Sequence, residues 1–157
     1  MIKPTLLIFL DFDGVLHYFF PKAGIPDEDN KFFALIPNFE TVINRYKNQV
    51  DFKIVISSSW REIKTIAELK SPFSMEIQKL IVGITPIHFG SGTGSRLKEC
   101  ERWMQQNEYT GNWIGIDDNL DIWNYHQNVV FCEDGLFSNE MNVFSQWCES
   151  IINKESL

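Results

Sequence analysis

Long apolar runs are missing from this chain: none reaches the ~18 residues a helix needs to cross a bilayer, so membrane-spanning function classes are set aside. Cysteine is scarce, with only Cys100, Cys132 and Cys148. They are odd in number, widely spaced and set in apolar surroundings, which argues against a disulfide scaffold or a zinc site and predicts reduced, buried thiols. Positive charge is the minority, 14 Lys and Arg against 21 Asp and Glu for a net charge of −7. That balance disfavours a broad non-specific nucleic-acid surface but leaves room for a local basic pocket. The N-terminus, Met1-Ile2-Lys3-Pro4, lacks a small-residue cleavage site, so no signal peptide is expected and the expected location is cytoplasmic. Internal repeats and low-complexity tracts are also missing.

What is present suits one globular domain over residues 1–157, with a core rich in aromatic side chains: 13 Phe and 5 Trp. Apolar, β-favouring runs recur at Thr5–Leu10, Phe52–Ile56, Leu80–Ile84, Trp113–Ile116 and Val129–Cys132. Runs that are apolar throughout, rather than alternating, suit a parallel sheet covered on both faces. Between them, apolar residues at helical spacing fall at Phe39, Val42, Ile43 and Tyr46, at Ile63, Ile66 and Ala67, at Leu97, Cys100 and Met104, and from Met141 to Ile152. Alternating strand and helix predicts a doubly wound, Rossmann-like α/β fold. Two stretches interrupt the pattern: Leu16–Ile36, with Pro21, Gly24 and Pro26, and a glycine-rich loop over Ile87–Ser95. Neither is long enough for a second domain.

The carboxylates are placed informatively. Asp11 and Asp13 follow the first strand in Leu10-Asp11-Phe12-Asp13-Gly14, and Asp117 and Asp118 follow the fourth in Ile116-Asp117-Asp118. Open parallel sheets bind ligands beyond the carboxyl ends of their strands, where the strand order reverses. If the first and fourth strands are neighbours, four carboxylates converge there, and such a cluster of anions calls for a cation. Hard oxygen donors without His or Cys favour Mg²⁺. Ser57-Ser58-Ser59 ends the second strand at the same edge, and Arg96 or Lys98 can bring a cation to it from a helix. Each of these has a plainer use, as a helix cap, a turn or a solvated charge.

Together these residues resemble the haloacid dehalogenase-like (HAD) superfamily over nearly the whole chain. Asp11-Phe12-Asp13-Gly14-Val15 is similar to its first motif, Ser57 or Ser58 to its second, Arg96 or Lys98 to its third, and Asp117-Asp118 to its acidic fourth. Counting back from Trp60 favours Ser58 for the second motif, with Ser57 next. The family's usual third-motif residue is Lys; Arg96 departs from it, although a guanidinium can bridge phosphoryl oxygens. More narrowly, Ser57-Ser58-Ser59-Trp60-Arg61, the Arg96-Leu97-Lys98-Glu99 helix ending near Trp103, and Ile116-Asp117-Asp118 resemble small capless HAD domains, among them domains associated with RNA-repair proteins.

The resemblance implies a five-stranded sheet of order 3-2-1-4-5 without a large cap. It also implies a phosphatase in which Asp11 attacks phosphorus and Asp13 exchanges protons with leaving group and water. Mg²⁺ would be held by Asp11, the Asp13 main-chain carbonyl and Asp117, with Asp118 beside it. Ser58 or Ser57 and Arg96 would contact the phosphoryl group, and Gly14 would let the chain turn. Trp60, Arg61 and Lys98 are candidate substrate contacts, on a nucleotide, a nucleic-acid end or another phosphomonoester. His17 could face the substrate or serve packing. The rival readings are a phosphoacceptor signalling domain, which would want an acid after the third strand where Gly83-Ile84-Thr85-Pro86 has none, and a non-catalytic HAD-fold binding module.

Overall fold

The computed structural model describes residues 2–87 and 90–155. In chain order the elements are β1 (Thr5–Leu10), α1 (Asp27–Asn30), α2 (Ile36–Tyr46), β2 (Asp51–Ile56), α3 (Ile66–Lys70), α4 (Met75–Leu80), β3 (Ile81–Ile84), α5 (Ser95–Gln106), β4 (Asn112–Asp117), β5 (Val129–Phe131) and α6 (Ser138–Glu155). Short 3₁₀ turns cover Ser59–Glu62 and Asp121–Trp123. The strands form one five-stranded sheet in the order β3-β2-β1-β4-β5, every pairing parallel. This is the doubly wound topology expected, and its strand order reverses between β1 and β4.

Side chains alternate across a strand, so the central strands feed two cores. Leu6, Ile8 and Leu10 of β1 join Ile54, Ile56, Ile114 and Ile116 in a core closed by Phe39, Val42 and Ile43 of α2 and Phe144, Cys148 and Ile151 of α6. The Phe39 and Phe144 rings stack at 5.9 Å across that helix pair. Leu7, Phe9 and Val55 face the other way and pack with Cys100, Leu97, Trp103 and Met104 of α5. Trp123 seals this second core by lying over Gly115, where a Cβ would sit 2.5 Å from the indole. Any larger residue at 115 would push the indole off β4.

The stretch after β2 differs from its expected helix. Ile63 is 80% exposed and lies outside any helix. Thr65 and Glu68 form a capping box that starts α3 at Ile66 instead. Two short helices, α3 and α4, then bury Leu69 and Ile77. The apolar spacing at 63, 66 and 67 was an accident of composition, and the capping residues decided the start. In the loop of 87–95, His88 and Phe89 lie outside the described residues.

Candidate active site

The parallel ladder runs one residue past the strands' last registered pairs. Leu10 pairs with Ile56 and with Ile116, and Ile56 with Ile84. Beyond them, Asp11 N donates to Ile116 O, Ser57 N to Leu10 O and Thr85 N to Ile56 O, at 3.1, 3.0 and 3.0 Å. Thr85, Ser57, Asp11 and Asp117 therefore form one row across the carboxyl edge of four strands. By alternation they take the same side as Phe9 and Val55, the side covered by α5. Asp118 comes next, and carboxylate oxygens of Asp11, Asp117 and Asp118 lie within 4.8 Å of one another.

Arg96, in the first turn of α5, closes this cluster. Its Nη1 is 3.6 Å from Asp11 Oδ1 and 3.4 Å from Asp117 Oδ2, and its Nε is 3.6 Å from Glu99 Oε2. Burial pushes the Asp11 carboxyl well above its usual range and Asp117 adds to the rise, while Arg96 opposes it. Burial and the Asp117 carboxylate push Asp118 up to about 7. Burial would lower the Arg96 pKa, but Asp117 and Asp11 outweigh it and hold the guanidinium above its ordinary value. Three crowded carboxylates against one guanidinium leave excess negative charge in a partly desolvated space. This all-oxygen donor set fits a hard divalent cation.

Gly14 has φ +71°, and a Cβ there would overlap the Asp118 carboxylate. Glycine at 14 thus serves both a left-handed turn and the approach of the fourth-strand acid to the first-strand loop.

Asp13 stands apart from the three clustered carboxylates. Its Oδ1 accepts from His17 Nε2 at 2.8 Å. The Trp60 indole N–H donates to Oδ1 and Oδ2 at 3.2 and 3.0 Å. The Phe33 backbone N–H donates to His17 Nδ1 at 3.2 Å, which leaves the ring's proton on Nε2. The Asp13 side chain keeps 31% exposure.

The serines divide. Ser57 Oγ is buried and, among the described residues, has no hydrogen-bond partner; the same holds for Thr85 Oγ1. Ser58 Oγ instead accepts from Trp60 N at 3.3 Å and caps the 3₁₀ turn.

Two expected substrate contacts are not brought to the carboxylates. Arg61 is buried, and its guanidinium is taken up by the backbone oxygens of Ser57, Ser58, Thr85 and Pro86 and by Glu99 Oε2 at 2.7 Å. A guanidinium so spent has no face left for a second phosphate, which corrects the expectation for Arg61. Lys98 is exposed; two residues past Arg96, it projects about 200° around the helix from it. Arg96 is the residue of that pair that meets Asp11 and Asp117. Trp60 turns its polar edge to Asp13, and its ring packs on Phe12 and Phe33. Phe19 and Phe20 are exposed and touch each other.

Glu99 carries no role of its own in the sequence reading, because a helical acid among Lys98, Glu101 and Arg102 reads as a solvated face. Its buried pairing with Arg61 appears only once β2, β3 and α5 are assembled. The tie from His17 to Asp13 had one visible signal, the four-residue interval between them.

The model of one sequence family, the HAD domain in Swiss Army Knife RNA repair proteins, matches residues 7–140. The chain belongs to this family. No curated protein matches it. HAD domains are in general phosphohydrolases that use a divalent metal, and the Asp11, Asp117 and Asp118 cluster is a group of residues that could hold one. No helix among the described residues is long and apolar enough to cross a membrane.

Proposed function

We propose that residues 1–157 act as one Mg²⁺-dependent phosphomonoesterase domain that forms an aspartyl-phosphate on Asp11. The reading rests on one observation: Asp11, Asp117 and Asp118 gather at the switch point of the sheet, with Arg96 set against two of them. Asp11, Asp117 and the main-chain carbonyl of Asp13 would hold the ion, with Asp118 beside them. When bound, Mg²⁺ offsets the negative charge of the phosphoryl oxygens.

The chain's own residues carry the transfer. An Asp11 carboxylate oxygen forms the new bond to phosphorus as the bond to the leaving oxygen breaks, and Asp13 gives that oxygen its proton. Asp13 then takes a proton from water as the water oxygen bonds phosphorus. The phosphorus–Asp11 bond breaks, releasing inorganic phosphate and restoring the carboxylate. Arg96 supplies positive charge to the transferring group. Ser57 is the better candidate to hydrogen-bond it, because its hydroxyl is buried, unpartnered and in register with Asp11, whereas Ser58 is occupied as a cap.

The substrate class proposed is a nucleotide or a nucleic-acid end. The family's association with RNA repair favours it. So does Phe32, which is 67% exposed and packs on Trp60 beside Asp13, offering a face on which a base could stack. Three free, buried cysteines fit a reducing compartment and a cytoplasmic location.

The test is phosphate release from p-nitrophenyl phosphate and from phosphorylated oligonucleotides, with Mg²⁺ and with EDTA. Wild-type protein should turn over with Mg²⁺ alone, and Asp11→Asn should lose turnover while keeping its circular dichroism spectrum. An Asp11→Asn protein as fast as wild type would refute the role of Asp11, and metal-independent turnover would refute the ion's.

A further inference from the structure

We infer that His17 and Trp60 are positioning residues for Asp13, which they clamp in the orientation needed for proton transfer; the inference rests on the phosphatase reading above. An acid that must serve a leaving oxygen and then a water has to stay in place through both steps. A free Asp side chain rotates about two torsions. Here two aromatic rings remove that freedom from different directions.

The His17 ring is itself held. It is 1% exposed, its Nδ1 receives the Phe33 N–H, and Phe32 and Phe33 pack its faces at 5.0 and 5.2 Å between centroids. Its one remaining polar atom, Nε2, is spent on Asp13 Oδ1 at 2.8 Å. Trp60 is fixed by Phe12 and Phe33 and sends its single N–H between both Asp13 oxygens. Both rings are locked by Phe33, which is not a proposed substrate contact, so the pair can impose a direction on the carboxylate. Among the described residues these are the side-chain hydrogen bonds Asp13 makes, and they leave the rest of the carboxylate exposed.

A plain packing role for the two rings makes different predictions from a positioning role. General acid–base catalysis is worth about 10²–10⁴-fold, so a carboxylate free to rotate forfeits part of that factor. The loss is largest where an alkoxide must leave and small where p-nitrophenolate leaves, because the latter needs little protonation. Water activation suffers with every substrate, so the covalent intermediate outlives its normal lifetime.

The experiment compares wild type with Trp60→Phe, which keeps the ring and removes the donor, and with His17→Leu. The substrates are β-glycerophosphate and p-nitrophenyl phosphate with Mg²⁺. For Trp60→Phe, kcat on β-glycerophosphate should fall about tenfold or more, with KM changed less than about twofold. With p-nitrophenyl phosphate the first turnover should stay near wild type, and the fraction of enzyme trapped by acid quench as aspartyl-phosphate should rise. His17→Leu should do the same wherever it folds. A third arm needs no turnover: the indole N–H resonance that disappears in Trp60→Phe should shift in Asp13→Ala.

Equal losses on both substrates without extra trapped phosphoenzyme would overturn the inference, as would unchanged kinetics or an unmoved indole signal. Wild type without Mg²⁺-dependent phosphate release sinks the phosphatase reading and this inference together. An active wild type with unaltered variants sinks only the inference.

Discussion

Two adjacent serines at one strand end leave opposite sides of the pleat, and that separates their tasks. Ser57 continues the row of Asp11 and Asp117; Ser58 turns to Trp60 N and caps the 3₁₀ turn. Ser57→Ala should therefore lower kcat by about 100- to 1000-fold, in the range of one lost transition-state donor, with little change in melting temperature. Ser58→Ala should show the reverse, a loss of about 1 kcal/mol with the cap and a small change in kcat. Steady-state kinetics and thermal melts on both variants separate the two, and a larger kcat loss in Ser58→Ala would invert the assignment. From sequence alone, counting back from Trp60 favours Ser58 over Ser57, whereas the register of β2 favours Ser57. Knowing that β2 ends at Ile56 is what distinguishes them. Asp11, by contrast, stands out in the sequence, because Asp11-Phe12-Asp13-Gly14-Val15 directly after an apolar strand carries the resemblance to the first HAD motif.

At the level of elements, α5 does more than its apolar stripe suggests. Leu97, Cys100 and Met104 announced its buried face, and they do pack on the sheet. Apolar periodicity cannot see a charged residue on that face, so the Arg61–Glu99 pair is invisible in the sequence, where Arg61 reads as a substrate contact. Burial lowers the Arg61 pKa and the Glu99 carboxylate opposes that shift, so the buried guanidinium depends on its partner. The Arg61 side chain is 1% exposed and that of Glu99 9%. Removing one member of such a buried pair leaves an uncompensated charge, typically at a cost of ~3–5 kcal/mol. Glu99→Gln should lose an amount of that order in urea unfolding. Because Arg61 also holds the carbonyls of Ser57 and Ser58, the loosened loop should raise KM as well. A variant as stable as wild type would mean that the backbone carbonyls alone satisfy Arg61.

For the whole molecule, strand order was legible because five apolar runs and two acid-tipped strands admit few arrangements once sequence resemblance is added. The stretch from 57 to 80 was not, because short helices are set by caps such as Thr65 and Ser74 rather than by periodicity. The arrangement that results concentrates like charge at one edge of a chain already at net −7, and this makes stability a function of pH and cation together. Asp118 is pushed from 3.8 up to about 7, mainly by burial and then by Asp117, and Asp11 is raised as well. A carboxyl whose folded pKa is raised holds a proton that the unfolded chain has already released. Its contribution is therefore fully present below pH 3.8 and is lost as pH rises toward about 7. Without a divalent ion, the melting temperature should pass this penalty on as a decline over that window, beneath whatever the other groups add. A cation bound to the same oxygens competes with those protons, so the stabilisation by Mg²⁺ should be near zero at about pH 4 and grow as pH rises through about 7. Thermal melts in Mg²⁺ and in EDTA across that range read the difference directly. Asp118→Asn should flatten it, by removing the carboxyl that titrates within the window. A Mg²⁺ increment that is constant with pH, or absent throughout, would mean that the three carboxylates do not share an ion.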